Sequence, residues 1–428
     1  MSAVIQRRVD CIMQIASIST YRPSEALFSH LGNYAKYFVA QNPIDASNDA
    51  VSDAISKKKK SVSIRALRYE MQDTARKLLR ADLGKLGPID IKSFKGPYRL
   101  VPCRHVRVSA FVGLNLSLEH GKAFYTGLAT CGSVWSCPVC SSIIQERRRK
   151  EVCKAIDSAY SEGLTCSMLT LTFPHYSFNS CVELLEKQKS ALAHFRSTTP
   201  YRSLKKRIGY IGLIRGLEVV YGSNGWHPHT HEIWFHDKGK SKGLLFTLKR
   251  LWFNACSKFG LIPKGKITAF KKYAVDLRLG ANSGDYLAKS SDESYWGADS
   301  ELVRSSLKNT AKGLPPFALL ESANCSDDSN SLRNGRLYVE YVKAFVGKSQ
   351  LFWSKGMKDR YLIEDKSDET LATESVDKSI ELGLLNSLAW EIIRKNKARD
   401  LVLYLLENGG FETVIEWLRL HGVNSPLD

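Results

Sequence analysis

The sequence predicts an α+β fold: a central antiparallel sheet flanked by helices, with a cysteine-rich segment ahead of it and a helical C-terminal module. Three observations predict it. Ser167–Phe173 is a β-branched and apolar run stopped by Pro174, which reads as a strand. Residues 208–220 and 229–236 read as two more strands, joined through the turn signature Gly222-Ser223-Asn224-Gly225. Around them, residues 145–160, 181–196, 243–259, 282–290 and 299–309 read as helices, the second marked by Val182, Leu185, Leu192 and Phe195.

The flanks differ in composition. Residues 1–60 are polar, weakly patterned and end in Lys57-Lys58-Lys59-Lys60, which reads as a loose arm and basic linker. Residues 62–82 carry partial helical spacing (Ile64, Leu67, Met71, Leu78). The predicted organisation is therefore an arm and helical region over 1–94 and a main domain over 95–360. An acidic and polar stretch from Glu364-Asp365 makes 361–380 a linker. Residues 381–428 form a helical module, broken at Gly409-Gly410, with Leu384, Leu388, Ile392, Val414, Trp417 and Leu418 as its apolar positions.

Lys and Arg number 62 against 43 Asp and Glu, a net charge of +19, which favours a polyanionic partner. No apolar run reaches the roughly 18 residues of a membrane span, and residues 1–20 lack the pattern of a signal peptide. Ten cysteines in such a chain read as reduced thiols, some of them metal ligands, and the expected compartment is the cytoplasm.

His227-Pro228-His229-Thr230-His231 carries the first chemistry. Side chains alternate along a strand, so His229 and His231 share a face and can hold one divalent ion. With Asn224-Gly225 as a two-residue turn, His231 lies opposite Glu218 and His229 opposite Val220, which brings Glu218 to the same face as a third ligand. A mixed nitrogen and oxygen set with open positions suits Mn²⁺ or Mg²⁺ and leaves room for a phosphate oxygen. His227 shares the face but lies near the turn, as a substrate-side residue or spectator. The pattern also resembles the histidine-triad nucleotide hydrolases, although those place apolar residues where Pro228 and Thr230 stand.

Gly284-Asp285-Tyr286-Leu287-Ala288-Lys289 carries the second. Tyr286 and Lys289 are three apart on a helix and share a face. A phenol with a pKa of about 10 is a poor nucleophile at neutral pH; an adjacent ammonium and a metal on the scissile phosphate activate it.

Cys131, Cys137 and Cys140 place three thiols within ten residues, and Cys103 is the best fourth, with His105 and His120 as alternatives. Four such ligands make a closed structural zinc site. Arg147, Arg148, Arg149 and Lys150 follow on a basic helix, as candidate phosphate contacts or as a solvated face.

Leu169-Thr170-Leu171-Thr172-Phe173, then the histidine segment, then Tyr286-Leu287-Ala288-Lys289 resemble, in this order, the HUH endonuclease superfamily. More closely, they resemble single-tyrosine initiators of plasmid rolling-circle replication. Cys131–Cys140, Trp296-Gly297 and Trp353-Ser354-Lys355-Gly356 extend the likeness over roughly 95–360. The resemblance implies a five-stranded antiparallel sheet, His229 and His231 as metal ligands, and Tyr286 as the nucleophile on one strand of a plasmid origin. The products would be a 5′-phosphotyrosine and a 3′-hydroxyl primer, with rejoining at termination. A host helicase and a single-strand-binding protein are the implied partners, and the terminal helices are candidates for dimerisation or for origin choice. Thr230 departs from the usual apolar residue between the histidines. The carboxylate that some relatives carry a turn before the tyrosine is also missing, which leaves Asp285, Asp276 or Tyr273 as alternatives. Two readings compete: a mobilisation relaxase or single-strand transposase, in which the tyrosine usually precedes the histidines, and a non-catalytic zinc-containing DNA-binding regulator.

Overall fold

Two antiparallel sheets organise the chain, one of three strands in the order β2-β1-β8 and one of five in the order β6-β3-β5-β4-β7. The strands are β1 (Val112–Ser117), β2 (Ala123–Thr126), β3 (Leu164–Leu171), β4 (Gly212–Gly222), β5 (Gly225–Asp237), β6 (Val275–Leu279), β7 (Leu351–Trp353) and β8 (Ser379–Leu385). The helices are α1 (Asp49–Leu83), α2 (Pro138–Ser161), α3 (Cys181–Ser197), α4 (Thr199–Ile208), α5 (Leu244–Lys258) and α6 (Ile267–Tyr273), followed by α7 (Pro316–Ala323), α8 (Ser329–Ala344), α9 (Met357–Arg360), α10 (Asp368–Thr373), α11 (Ser387–Lys395) and α12 (Arg399–Leu420). The computed structural model describes residues 49–84, 94–118, 120–281, 313–323, 329–374 and 378–425, with side chains from residue 64 onward. The helices expected over 282–290 and 299–309, with Tyr286 and Lys289, lie outside the described residues, as does Trp296-Gly297. Among the described residues no helix is long and apolar enough to cross a membrane.

The chain divides into a unit of residues up to 70, 102–130 and from 374 onward, and a unit of 71–101 and 131–373. In the first, β1 is the central strand and Leu114, Tyr125, Trp390, Val402 and Trp417 build the core. Trp390 meets Tyr125 edge-on at 5.1 Å, and its indole N–H donates to the His105 carbonyl at 2.9 Å. This unit corrects the sequence-based boundaries. β8 pairs with β1, so the C-terminal segment is not purely helical, and 102–130 groups with it rather than with 95–360. The stretch read as a linker contains α10 and the start of β8. Leu388 is exposed, because the Asn386 side chain caps α11 by accepting from the Ala389 N–H and sets a phase that buries Ala389, Trp390 and Ile393. Gly410, at φ 72°, breaks α12 where Gly409-Gly410 predicts a break. Lys57–Lys60 lie within α1 rather than in a loose tether: lysine is a good helix former, and the segment continues into the helical spacing from Ile64.

In the second unit β5 is the middle strand, with β3 and β4 on either side. One face of the sheet presents Cys166, Ile214, Ile233 and Phe235, covered by Val152, Ala155 and Ile156 of α2 and by Met357 and Tyr361. The opposite face carries Trp234, which Tyr201 of α4 meets edge-on at 5.8 Å. α4 occupies part of the segment predicted as strand from residue 208. Thr198 caps its start and Gly209, at φ 60°, ends it, so β4 begins only at Gly212.

Glu232 is fully buried on that opposite face, paired with Arg196 of α3 and accepting from the Trp234 indole at 2.9 Å. Arg196→Ala strands this carboxylate without its cation, and a loss of about 3 kcal/mol is expected in denaturant unfolding. An unchanged urea midpoint would show that the pair contributes nothing.

Candidate metal centres

The β4–β5 hairpin builds the first centre. Its turn is Ser223-Asn224, with Gly222 opposite Gly225, so the register lies two residues from the one read off Asn224-Gly225: Glu218 pairs with His229 and Gly216 with His231. The cause is Gly225, which sits in the left-handed region at φ +84°, where a Cβ would lie 2.8 Å from the Ser177 Cα. Side chains repeat every two residues along a strand, so this shift leaves Glu218 on the histidine face. Pro228 lies beyond the β3 ladder, which ends at Thr230, so one edge of β5 is already unpaired there.

Glu218, His229 and His231 present ligand atoms within 4.8 Å of one another. The Glu218 Oε2 lies 2.9 Å from the His229 Nε2 and 3.2 Å from the His231 Nε2. The other ring nitrogens decide the chemistry. His229 Nδ1 lies 3.1 Å from the His227 carbonyl, which only accepts, so the proton of the neutral ring sits on Nδ1. The Thr170 hydroxyl, 3.0 Å from His231 Nδ1, can accept in the same way. With both protons on Nδ1, both Nε2 lone pairs face the Glu218 carboxylate oxygen. Without a cation the two contacts need Nε2 protons, which His229 gains only by becoming cationic and His231 also as a neutral ring whose Nδ1 accepts from Thr170; the ring centroids are 5.0 Å apart. A single divalent cation satisfies all three at once, so the residues fit a metal. Burial alone would lift the Glu218 carboxyl, but the bonds with His229 and His231 outweigh it and hold it well below the usual carboxylate range.

His227 is kept out of this set. Its Nε2 meets the Thr172 hydroxyl, and its ring stacks on His175 at 4.3 Å. Burial, with His175 and His229 alongside, pushes His227 down to about 3. An unfolded chain protonates histidine near pH 6.5. Neutral His227 therefore contributes its stability in full above about pH 6.5, and the contribution is lost as pH falls toward about 3. In chelator, the urea midpoint should fall more steeply across this window than in His227→Gln; parallel slopes would remove the assignment.

Thr170, Thr172, His175 and Gly216 complete the surroundings without having been singled out from the sequence as site residues. The two threonines were legible: alternation in Leu169–Phe173 puts them on one face. No sequence signal marks His175. Thr230 lies on the face of the sheet that carries Glu232 and Trp234, buried, and its hydroxyl has no partner among the described residues. Asp276 stands opposite Thr170 on β6, on the histidine side of the sheet, and pairs with Arg278 at 3.4 Å. Tyr273 is exposed at the end of α6, and Asp285 lies outside the described residues.

The second centre gathers the thiols Cys131, Cys137 and Cys140 of the second unit, all buried, with sulfurs within 4.8 Å of one another, and Cys103 is buried in the first unit. Cys131 and Cys140 are 3.7 Å apart, close to the roughly 3.8 Å edge of a tetrahedron with ~2.3 Å Zn–S bonds. The Cys140 N–H points at the Cys137 sulfur at 3.4 Å, the Ser133 N–H at that of Cys131 at 3.5 Å, and Gln72 donates to Cys137 at 3.2 Å. Such donors stabilise thiolates, and the set is consistent with structural zinc. His105 and His120 are not part of it.

The basic helix is largely engaged within the chain. Arg147 donates to the Leu371 carbonyl at 2.5 Å, Arg148 pairs with Asp368 at 2.9 Å and Glu151 at 3.0 Å, and Arg149 pairs with Glu146 at 2.6 Å. Lys150 is exposed.

No protein-family model matches the chain, and no solved structure matches it. Over 351 residues it is 25% identical to a Streptomyces lividans protein named "Protein rep", covering 66% of this chain and 75% of that protein. Over 138 residues it is 30% identical to a "Neomycin resistance protein" of Streptomyces cyanogenus, covering 26% of this chain and 32% of the relative.

Proposed function

We propose that the chain acts in plasmid replication as a rolling-circle initiator, an HUH-type nicking and closing enzyme on one strand of an origin. Similarity to the protein named "Protein rep" supports the replication-related role. The observation that carries the nicking chemistry is the convergence of Glu218, His229 and His231 on one cation position. Held there, a Mn²⁺ or Mg²⁺ ion would supply Lewis-acid polarisation of the scissile phosphate. The Tyr286 oxygen attacks phosphorus and forms the O–P bond as the bond to the 3′-oxygen breaks. The tyrosine proton departs and the 3′-oxygen gains one, leaving a 5′-phosphotyrosine and a 3′-hydroxyl that primes synthesis. Lys289 favours the phenolate by its charge. Closure is the reverse reaction on the displaced strand, and unwinding falls to a helicase of the host, with single-strand-binding protein on the exposed strand.

The test is a supercoiled origin plasmid incubated with protein and Mn²⁺. Relaxed circle bearing covalently bound protein is expected, with a drop of at least about a thousandfold for Tyr286→Phe. Nicking by Tyr286→Phe at the parent rate would remove the tyrosine, and parent protein that leaves the plasmid supercoiled would remove the reading.

A further inference from the structure

We propose that a polar cavity beside the histidine centre is a subsite for one nucleotide of the bound strand, whose base it holds by its edge. This rests on the nicking reading for the strand's path, though not for the cavity's chemistry. The cavity has a volume of about 490 Å³, enough for one nucleotide. Its position follows from the ladders: His231 stands opposite Gly216 on β4, and Gly216 opposite Leu351 on β7. Paired residues share a face, and strands lie ~4.8 Å apart, so Leu351 is roughly 10 Å across the sheet from His231. Leu351 is also part of the cavity wall. Between the two, Gly216 has no side chain, and a Cβ there would meet nothing nearer than the Leu351 Cδ2 at 3.7 Å. Gly216 therefore puts no side chain on the sheet face between His231 and Leu351.

The lining argues for a base rather than a phosphate or an apolar ligand. Arg99 and Glu369 pair at 2.9 Å and stay about half exposed, at 43% and 50%. Arg148 is held by Asp368 at 2.9 Å. The acids offset the arginines, so a bare anion gains little, while donors and acceptors stand side by side for a base edge. Gln350 adds an amide that can serve in either role. Trp135, anchored by its indole N–H on the Lys348 carbonyl at 2.6 Å and packed on Phe345 at 4.4 Å, gives the wall a rigid aromatic group.

Calorimetric titration of the full chain with the four deoxynucleoside 5′-monophosphates, single-stranded tetranucleotides and inorganic phosphate tests this. One base is expected to bind about tenfold tighter than the weakest, with phosphate far weaker. Gln350→Ala and Glu369→Gln should flatten that preference about fivefold. His229→Ala should leave mononucleotide binding in place. Gly216→Val, which the backbone accepts, should weaken tetranucleotides and spare mononucleotides. No saturable mononucleotide binding, equal binding of all four, or loss of binding in His229→Ala would overturn the subsite. A base preference in a protein that never nicks would sink the nicking reading while leaving a nucleotide pocket. Nicking with a flat preference would do the reverse.

Discussion

Removal of both imidazoles, His229→Ala with His231→Ala, is expected to lower metal-dependent nicking by about a thousandfold, some 4 kcal/mol of transition-state stabilisation. The effect is large because the remaining ligand, Glu218, has a side chain 48% exposed and holds a divalent ion only weakly by itself. The His231 side chain is 35% exposed, so the fold should lose little, and an unchanged melting temperature would separate lost chemistry from lost structure. Glu218→Gln is the graded companion. It keeps the shape, removes the charge and replaces one carboxylate oxygen with an amide nitrogen that cannot ligate, so metal affinity should fall about tenfold to a hundredfold. Mn²⁺ titration reads the affinity and plasmid relaxation reads the rate. A double variant that relaxes plasmid like the parent would show that the convergence of three acceptors has no part in catalysis.

The second large effect is on folding. Cys137→Ser should cost about 4 kcal/mol and lower the melting temperature by about 10 °C. All four thiols are buried and Gln72 and backbone amides point at their sulfurs, so a missing ligand leaves those donors facing a weakened acceptor set. Strong chelators should mimic the substitution, and one bound zinc per chain should be measurable in purified protein. Cys153→Ser, at a buried thiol outside the set, is the control and should release no metal. A metal-free protein with the parent's melting temperature would make these cysteines plain core residues.

Much of this was legible because local rules reach far enough. Alternation alone puts Glu218, His229 and His231 on one face, and survives the wrong turn: the register moved by two residues, which returns every side chain to its side. The four thiols are near in sequence apart from Cys103, and their spacing already resembles a knuckle. Arg147, Arg148 and Arg149 show where local reading stops. Their run reads as candidate phosphate contacts or a solvated face, and in the fold Asp368, Glu151 and Glu146 pair with two of them and a main-chain carbonyl accepts from the third. A charge run states what a face carries, and only distant neighbours decide whether it is already answered.

By itself the sequence determined the α+β class, the order of the chemical segments, the shared face of the two imidazoles and the grouping of Cys131, Cys137 and Cys140, all of which depend on residue type and short-range periodicity. The tertiary structure alone decided the hairpin register, through Gly225 pressed against the Ser177 backbone, and the pairing of β8 with β1. It also placed the His227 carbonyl against His229 Nδ1, and Gly216 between His231 and Leu351. Each of these turns on atoms brought together by packing, where a few tenths of an ångström or one acceptor selects between arrangements that the local pattern leaves equal.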